Sequence, residues 1–318
     1  MKYPILHLDL NIEKYDTPDS LDNILDKSLT AWEKLYGAEP SERSFSLRFA
    51  GIIERACKQA GQRVVILVDE YDKPMLQAIG NEELQRQFRN ALKPFYGALK
   101  TMDGCIKFAF LTGVTKFGKV SVFSDLNNLD DISMRKDYVE LCGVSDRELH
   151  DTLDAELHEF ADVRGVTYDK LCAELKECYD GYHFTHNSIG MYNPFSLLNA
   201  FKYKEFGSYW FETGTPTYLV SLLKKHHYDL ERMAHEETDA QVLNSIDSES
   251  TNPIPVIYQS GYLTIKGYDE EFGIYRLGFP NREVEEGFVR FMLPYYANVN
   301  KVESPFEIQK FVREVRSG

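Results

Sequence analysis

Val64-Val65-Ile66-Leu67-Val68-Asp69-Glu70 is the stretch on which the fold turns. Five consecutive apolar residues, four of them β-branched, are too few for a helix and show no alternation with polar ones. They predict a parallel strand buried on both faces, delivering Asp69 and Glu70 at its carboxyl end. On the amino-terminal side, Pro4-Ile5-Leu6-His7-Leu8-Asp9-Leu10 predicts a strand, followed by helices over about 19–36 and 43–60 that stop at Gly37 and Gly61. On the other side, a helix over about 81–100 leads to a buried strand at Phe108-Ala109-Phe110-Leu111. Strand, helix, strand in this rhythm is a βαβ unit with a right-handed crossover, hence an α/β fold with a parallel sheet.

Beyond that core the pattern changes. Helical periodicity covers 145–178, 194–203 and 216–227, with Asn193-Pro194 as a helix start. Ile254 to Ser260 predicts a short helix or turn, and Tyr262-Leu263-Thr264-Ile265 with Ile274-Tyr275-Arg276-Leu277 predicts a β-hairpin across the acidic turn Asp269-Glu270-Glu271-Phe272-Gly273. A hairpin after helices is a winged-helix-like pattern. The expected organisation is an α/β core over 1–144, a helical lid region over 145–237, and a winged-helix-like domain with the start of a linker helix over 238–318. Ser304-Pro305-Phe306-Glu307 is a capping box opening a helix that Gly318 cuts short, which predicts further sequence downstream.

Composition bounds the partners. A formal charge of −14 over 318 residues disfavours non-specific attraction to nucleic acid or an anionic membrane. Five cysteines without a CxxC pair argue against a zinc ribbon or disulfide scaffold and predict a reducing, cytoplasmic setting. The first residues lack the apolar core of a signal peptide, and no run of apolar residues is long enough to span a membrane. Residues 238–318 carry twelve acidic and eight Lys or Arg side chains, net −4, so the winged-helix-like region is expected to contact protein rather than DNA. His183 and His186 lack a companion metal ligand, and His226-His227 beside Lys224-Lys225 make a small basic patch at a helix end.

Ligands of open α/β sheets bind at the carboxyl ends of the strands. Nucleotide hydrolysis needs one carboxylate to hold Mg²⁺ and another to orient the attacking water. Asp69 suits the metal and Glu70 the water, with Asp72 able to assist. The same residues could instead cap a helix near Pro74. Thr112 places a hydroxyl on the neighbouring strand end, with Lys116 nearby as a cation. Gly113-Val114-Thr115-Lys116-Phe117-Gly118-Lys119-Val120 is nearly a phosphate-binding loop, with Lys119 at the lysine position. Val120 stands where a metal-binding hydroxyl belongs, and the following β-branched residues do not open a helix, which weighs against a cradle.

Several ordered motifs resemble the bacterial AAA-ATPase-like family: Tyr3 to Asp9, Val65 to Pro74, Leu111 to Ser121, Ser124 to Leu129, Tyr179 to Phe184, Tyr192 to Ser196 and Trp210 to Pro216. The resemblance implies a P-loop NTPase-like sheet related to signal-transduction ATPases, with ATP and Mg²⁺ as ligands. It implies that Asp69 and Glu70 are the Walker B pair and that Thr112 lies on the sensor strand. It places the family's Gly-Lys-Ser loop upstream of Tyr3 and a PD-(D/E)XK nuclease domain beyond Gly318. The chain is thus expected to be an internal piece of such a protein, with an incomplete sheet and no turnover alone. DNA contact is expected only through that nuclease, if at all. The alternative from another class is a non-catalytic, protein-binding or regulatory module of a nuclease system.

Overall fold

The computed structural model describes residues 2–116, 122–123, 126–213, 223, 236–244 and 252–296. The chain divides into two compact units, residues 1–130 with 244–251 and residues 131–243 with 252–318. It is a mixed α/β protein with one three-stranded parallel sheet and several helices. Among the described residues no helix is long and apolar enough to cross a membrane.

The first unit holds β1 (Ile5–Asp9), α1 (Pro18–Tyr36), α2 (Phe45–Ala60), β2 (Val64–Asp69), α3 (Lys73–Gln77), α4 (Glu82–Thr101) and β3 (Ile106–Leu111). Local chemistry sets the helix ends. Pro18 opens α1, the Ser44 hydroxyl accepts from Leu47 N to cap α2, Asn81 caps α4, and Gly61 ends α2 in the left-handed conformation. The strands run parallel in the order β1-β2-β3, with Ile5 opposite Val65 and Asp9 opposite Asp69. On the other side of β2, Val65 lies opposite Phe108 and Val68 opposite Leu111.

Both crossovers step in the same direction, so right-handed connections put all the helices on one face. Leu6, Leu8, Val64, Ile66 and Val68 are buried there, each burial worth about 1.5–3 kcal/mol. Trp32 of α1, Phe49 of α2 and Phe95 of α4 stack in series at 5.8 and 4.5 Å, joining the three helices in one core. The opposite face is not sealed. Ile5 and Phe108 are exposed, and Val65 and Leu67 are half-buried. The expectation that β2 is buried on both faces is therefore corrected: its residues alternate, because one-directional winding covers only one face.

The second unit has two cores. One packs α5 (Asp146–Arg164), α6 (Tyr168–Tyr179) and α7 (Pro194–Tyr203) with the short antiparallel pair β4 (Val144–Ser145) and β5 (Met191–Tyr192). Ser145 and Glu148 form a capping box at the start of α5, and the Asn193 side chain caps α7 as its sequence predicts. In the other core, Phe211 of α8 (Tyr209–Thr213) and the helix α9 (Ile254–Gln259) pack with an antiparallel sheet and with α10 (Arg282–Tyr296). That sheet has the order β6 (Glu237–Asp239), β8 (Ile274–Gly278), β7 (Thr264–Asp269). The predicted hairpin is present as β7–β8. Asp269 shapes its turn, since Oδ1 accepts from Glu271 N and Phe272 N at 3.0 and 3.1 Å. The helix expected over 216–227, the His226-His227 patch and the capping box at Ser304 lie outside the described residues, apart from Leu223.

Candidate functional site

The carboxyl edge of the parallel sheet gathers Asp9 from β1, Asp69 from β2 and Thr112 just after β3. Parallel pairing in register does this, because Asp9 and Asp69 are direct partners and Thr112 N donates to Val68 O at 2.8 Å. Leu10 N donates to Asp69 O, and Tyr71 N to Thr112 O, so the three chain exits are laced together beyond the strands.

Asp69 is oriented by two donors on a single oxygen. Thr112 Oγ1 donates to Asp69 Oδ1 at 2.6 Å, and Glu70 N donates to the same atom at 3.1 Å. Oδ2 accepts no hydrogen bond among the described residues, and the residue is exposed. Glu70 has a backbone φ of 56°, a left-handed conformation that costs a non-glycine residue about 1–2 kcal/mol. Its side chain is half-buried with no hydrogen-bond partner among the described residues. Burial holds its carboxyl above the usual glutamate range; the charges of Asp72 and Asp69 add to this, and Lys73 opposes it.

Asp72 does something other than assist. It is fully buried, and its carboxylate accepts from Val114 N, Thr115 N and Thr115 Oγ1 at 3.2, 2.6 and 2.6 Å. Burial raises its carboxyl, and the Thr115 and Val114 hydrogen bonds work against that. A Cβ on Gly113 would sit 2.3 Å from Asp72 Oδ1, so only glycine lets the loop close on the carboxylate. The near-match to a phosphate loop thus spends two of its first amides on the protein's own anion. Tyr71 reinforces the clamp, its hydroxyl donating to Thr115 O at 2.7 Å.

The two expected lysines fare differently. Lys116 Nζ donates to Asn244 Oδ1 at 2.6 Å, within the same unit. Lys119 lies outside the described residues. A cation that the sequence did not single out is Lys73, whose Nζ donates to Asn11 O at 2.5 Å and to Asn11 Oδ1 at 2.8 Å. Asn11 is held in turn by its amide on Asp9 Oδ1. Asp9 could have been found by applying the strand-end rule to the first strand. Lys73 could not, because Asn11 is 62 positions away.

Among the described residues no group of three or more His, Cys, Asp or Glu side chains could hold a metal by itself. That excludes an all-protein cage there but fits Mg²⁺, which takes one or two carboxylates and completes its shell with water and phosphate oxygens. The edge is rich in carboxylates, so a phosphate could approach it only with a cation between them.

Residues 1–123 match the AAA-ATPase-like family, described as "Predicted AAA-ATPase". The chain is also similar to a protein of Azotobacter chroococcum mcd 1, described as "Uncharacterized protein in vnfD 5′ region". The two are 35% identical over 298 residues, which is 93% of this chain and 55% of that protein. The chain therefore spans little more than half the length of that relative. No solved structure matches the chain.

Proposed function

We propose that the edge formed by Asp69, Glu70 and Thr112 is the magnesium and water-activating half of an ATP-hydrolysing site. The observation that carries this reading is the fixed orientation of Asp69: Thr112 and the Glu70 amide hold Oδ1, and Oδ2 accepts no hydrogen bond among the described residues. The match of residues 1–123 to a predicted ATPase family supports it. In this reading Asp69 would hold Mg²⁺, which would supply neutralisation of phosphate charge. Glu70, without a hydrogen-bond partner among the described residues and with a raised carboxyl, orients and takes a proton from the attacking water. Thr112 keeps Asp69 from rotating out of place.

The phosphate cradle belongs to a segment other than the Gly113 loop, whose Val114 and Thr115 amides serve Asp72. The sheet is read as part of a P-loop NTPase-like sheet, and α9, the β7–β8 hairpin and α10 as a winged-helix-like arrangement that contacts protein. The acidic hairpin turn and the net charge of residues 238–318 support protein over DNA as its partner. The test of the ATPase reading is magnesium-dependent ATP turnover by the full-length protein. Turnover that survives Asp69→Asn and Glu70→Gln together would refute it.

A further inference from the structure

Tyr179-Asp180-Gly181-Tyr182 is a motif that the strand-edge site leaves without a role. It ends α6 and turns the chain so that Tyr182 bridges Met191 through two backbone hydrogen bonds, at 3.2 and 3.0 Å. The turn needs glycine: Gly181 has a φ of 105°, and a Cβ there would lie 2.2 Å from Pro280 O. Its effect is to set Asp180 in the wall of a cavity of about 290 Å³, shared with Glu140, Asp146, Arg147, Lys176 and Gly190.

The charges of this cavity are not balanced. Arg147 is taken by Glu140 at 2.8 Å. Asp146 Oδ1 accepts the Tyr192 hydroxyl at 3.1 Å, and its Oδ2 lies 3.9 Å from His150 Nε2. Lys176 Nζ stands 3.9 Å from Asp180 Oδ2, beyond hydrogen-bond reach, on a side chain that is 61% exposed. The Asp180 side chain is only 9% exposed, and its Oδ1 accepts no hydrogen bond among the described residues. Burial accordingly holds this carboxyl above the usual aspartate range. A Cβ on residue 190 would lie 2.8 Å from Asp180 Oδ1, so glycine leaves open the space over the carboxylate.

A buried acceptor without a donor is costly, and in a native protein it calls for an explanation, of which a bound group that completes it is one. An anion is disfavoured, since three carboxylates line the wall against two cations, Arg147 on Glu140 and Lys176 within 3.9 Å of Asp180. A metal ion held by protein ligands alone is disfavoured too, since no three-ligand group occurs among the described residues. We infer that this cavity binds a small organic cation of the guanidinium class, held by Asp180 with Asp146 as the second carboxylate. A guanidinium presents the planar fork of donors that a carboxylate accepts best, and the cavity lies at the small end of ligand sites, suited to a group of that size. The group could belong to a free alkylguanidine or to an arginine side chain; the cavity chemistry is shared.

The experiment titrates the 318-residue chain with agmatine and, separately, with acetyl-Gly-Arg-Gly-amide, followed by calorimetry and by thermal shift. Saturable binding of either probe, with affinity reduced about tenfold or more by Asp180→Asn, supports the inference. The tighter probe identifies the source. Lys176→Gln removes the competing ammonium and is expected to tighten binding several-fold. Asp180→Asn is expected to keep or raise the melting temperature of the free protein, because burial disfavours the charged carboxylate more than Lys176 and the Gly181 backbone favour it. The inference is overturned if neither probe binds at millimolar concentration. It is equally overturned if Asp180→Asn leaves affinity unchanged, or if that variant melts earlier and wild type binds neither probe, which would make Asp180 structural.

Discussion

Thr112 Oγ1 and Asp69 Oδ1 lie 2.6 Å apart, joining the exit of β3 to the last residue of β2. Their side chains are 43 positions apart in sequence and adjacent in space only because the strands are parallel and in register. The bond holds one oxygen of Asp69, and the other accepts no hydrogen bond among the described residues.

Thr112→Val keeps the shape of the side chain and removes that donor. Its position is only partly buried, so the expected loss of stability is about 1 kcal/mol or less. Magnesium-dependent nucleotide binding by the full-length protein is expected to fall further than that, because Asp69 becomes free to rotate. Thr112→Ser should restore both. Calorimetric melting and titration of a fluorescent ATP analogue, with and without Mg²⁺, read the two effects separately.

Gly113→Ala is expected to be among the most damaging small substitutions in the first unit. The added methyl meets Asp72 Oδ1 at 2.3 Å, and Asp72 cannot move without releasing Val114 and Thr115. Overpacking of this kind costs about 1–3 kcal/mol. Denaturant unfolding of the variant measures it; a midpoint equal to wild type would show that the Asp72 clamp is loose.

How far the sequence discloses this site follows from range. The β-branched run at 64–68, the glycine helix stops and the Asn193 cap were legible, because backbone propensity and capping act within a few residues. The placement of Asp69, Glu70 and Thr112 at one edge followed from a general rule about parallel sheets. Three features were not legible. One-sided burial of β2 depends on the direction in which successive crossovers step, and the residues of β2 do not record it. Asp72 has the residue type of a metal ligand, and only its burial shows that it clamps a loop. Lys73 meets Asn11 through tertiary structure alone.

The pH dependence of stability should expose Glu70. Its carboxyl is raised in the folded state, so the folded protein holds this proton more tightly than the unfolded chain does. The contribution to stability is then fully present below the usual glutamate range and is lost as pH rises through the folded-state value. Glu70→Gln removes the liability. The variant should melt above wild type at pH 7, and the difference should shrink toward zero as pH falls below the glutamate range. A difference that grows on acidification would mean that Glu70 is stabilised as a carboxylate, contrary to its surroundings.

The hairpin region is expected not to bind duplex DNA at physiological salt. Residues 238–318 carry a net charge of −4, and Asp269, Glu270 and Glu271 lie together at the turn between β7 and β8. Affinity for a duplex rests mainly on neutralising phosphates, which this surface would repel. Fluorescence anisotropy with a labelled duplex checks it; micromolar binding that weakens steeply with salt would reverse the assignment to a protein partner.

Asp69 and Glu70 are neighbours in sequence, and the proposed site gives them different work. In the full-length protein, Glu70→Gln should abolish turnover while leaving magnesium-dependent ATP binding largely intact. The amide keeps the size of the side chain but cannot take a proton from water. Asp69→Asn should weaken binding as well as turnover, because in the proposed site Asp69 would hold the Mg²⁺ that neutralises phosphate charge. The backbone adds an independent marker. Glu70 occupies a left-handed conformation at a φ of 56°, so Glu70→Gly should relieve strain and raise stability by about 1 kcal/mol while eliminating turnover. A gain in stability joined to a loss of activity separates a functional residue from a structural one, since a structural Glu70 would lose both. Equal and mild effects of Asp69→Asn and Glu70→Gln on hydrolysis would remove the division of labour between metal and water, and with it the ATPase reading of this strand edge.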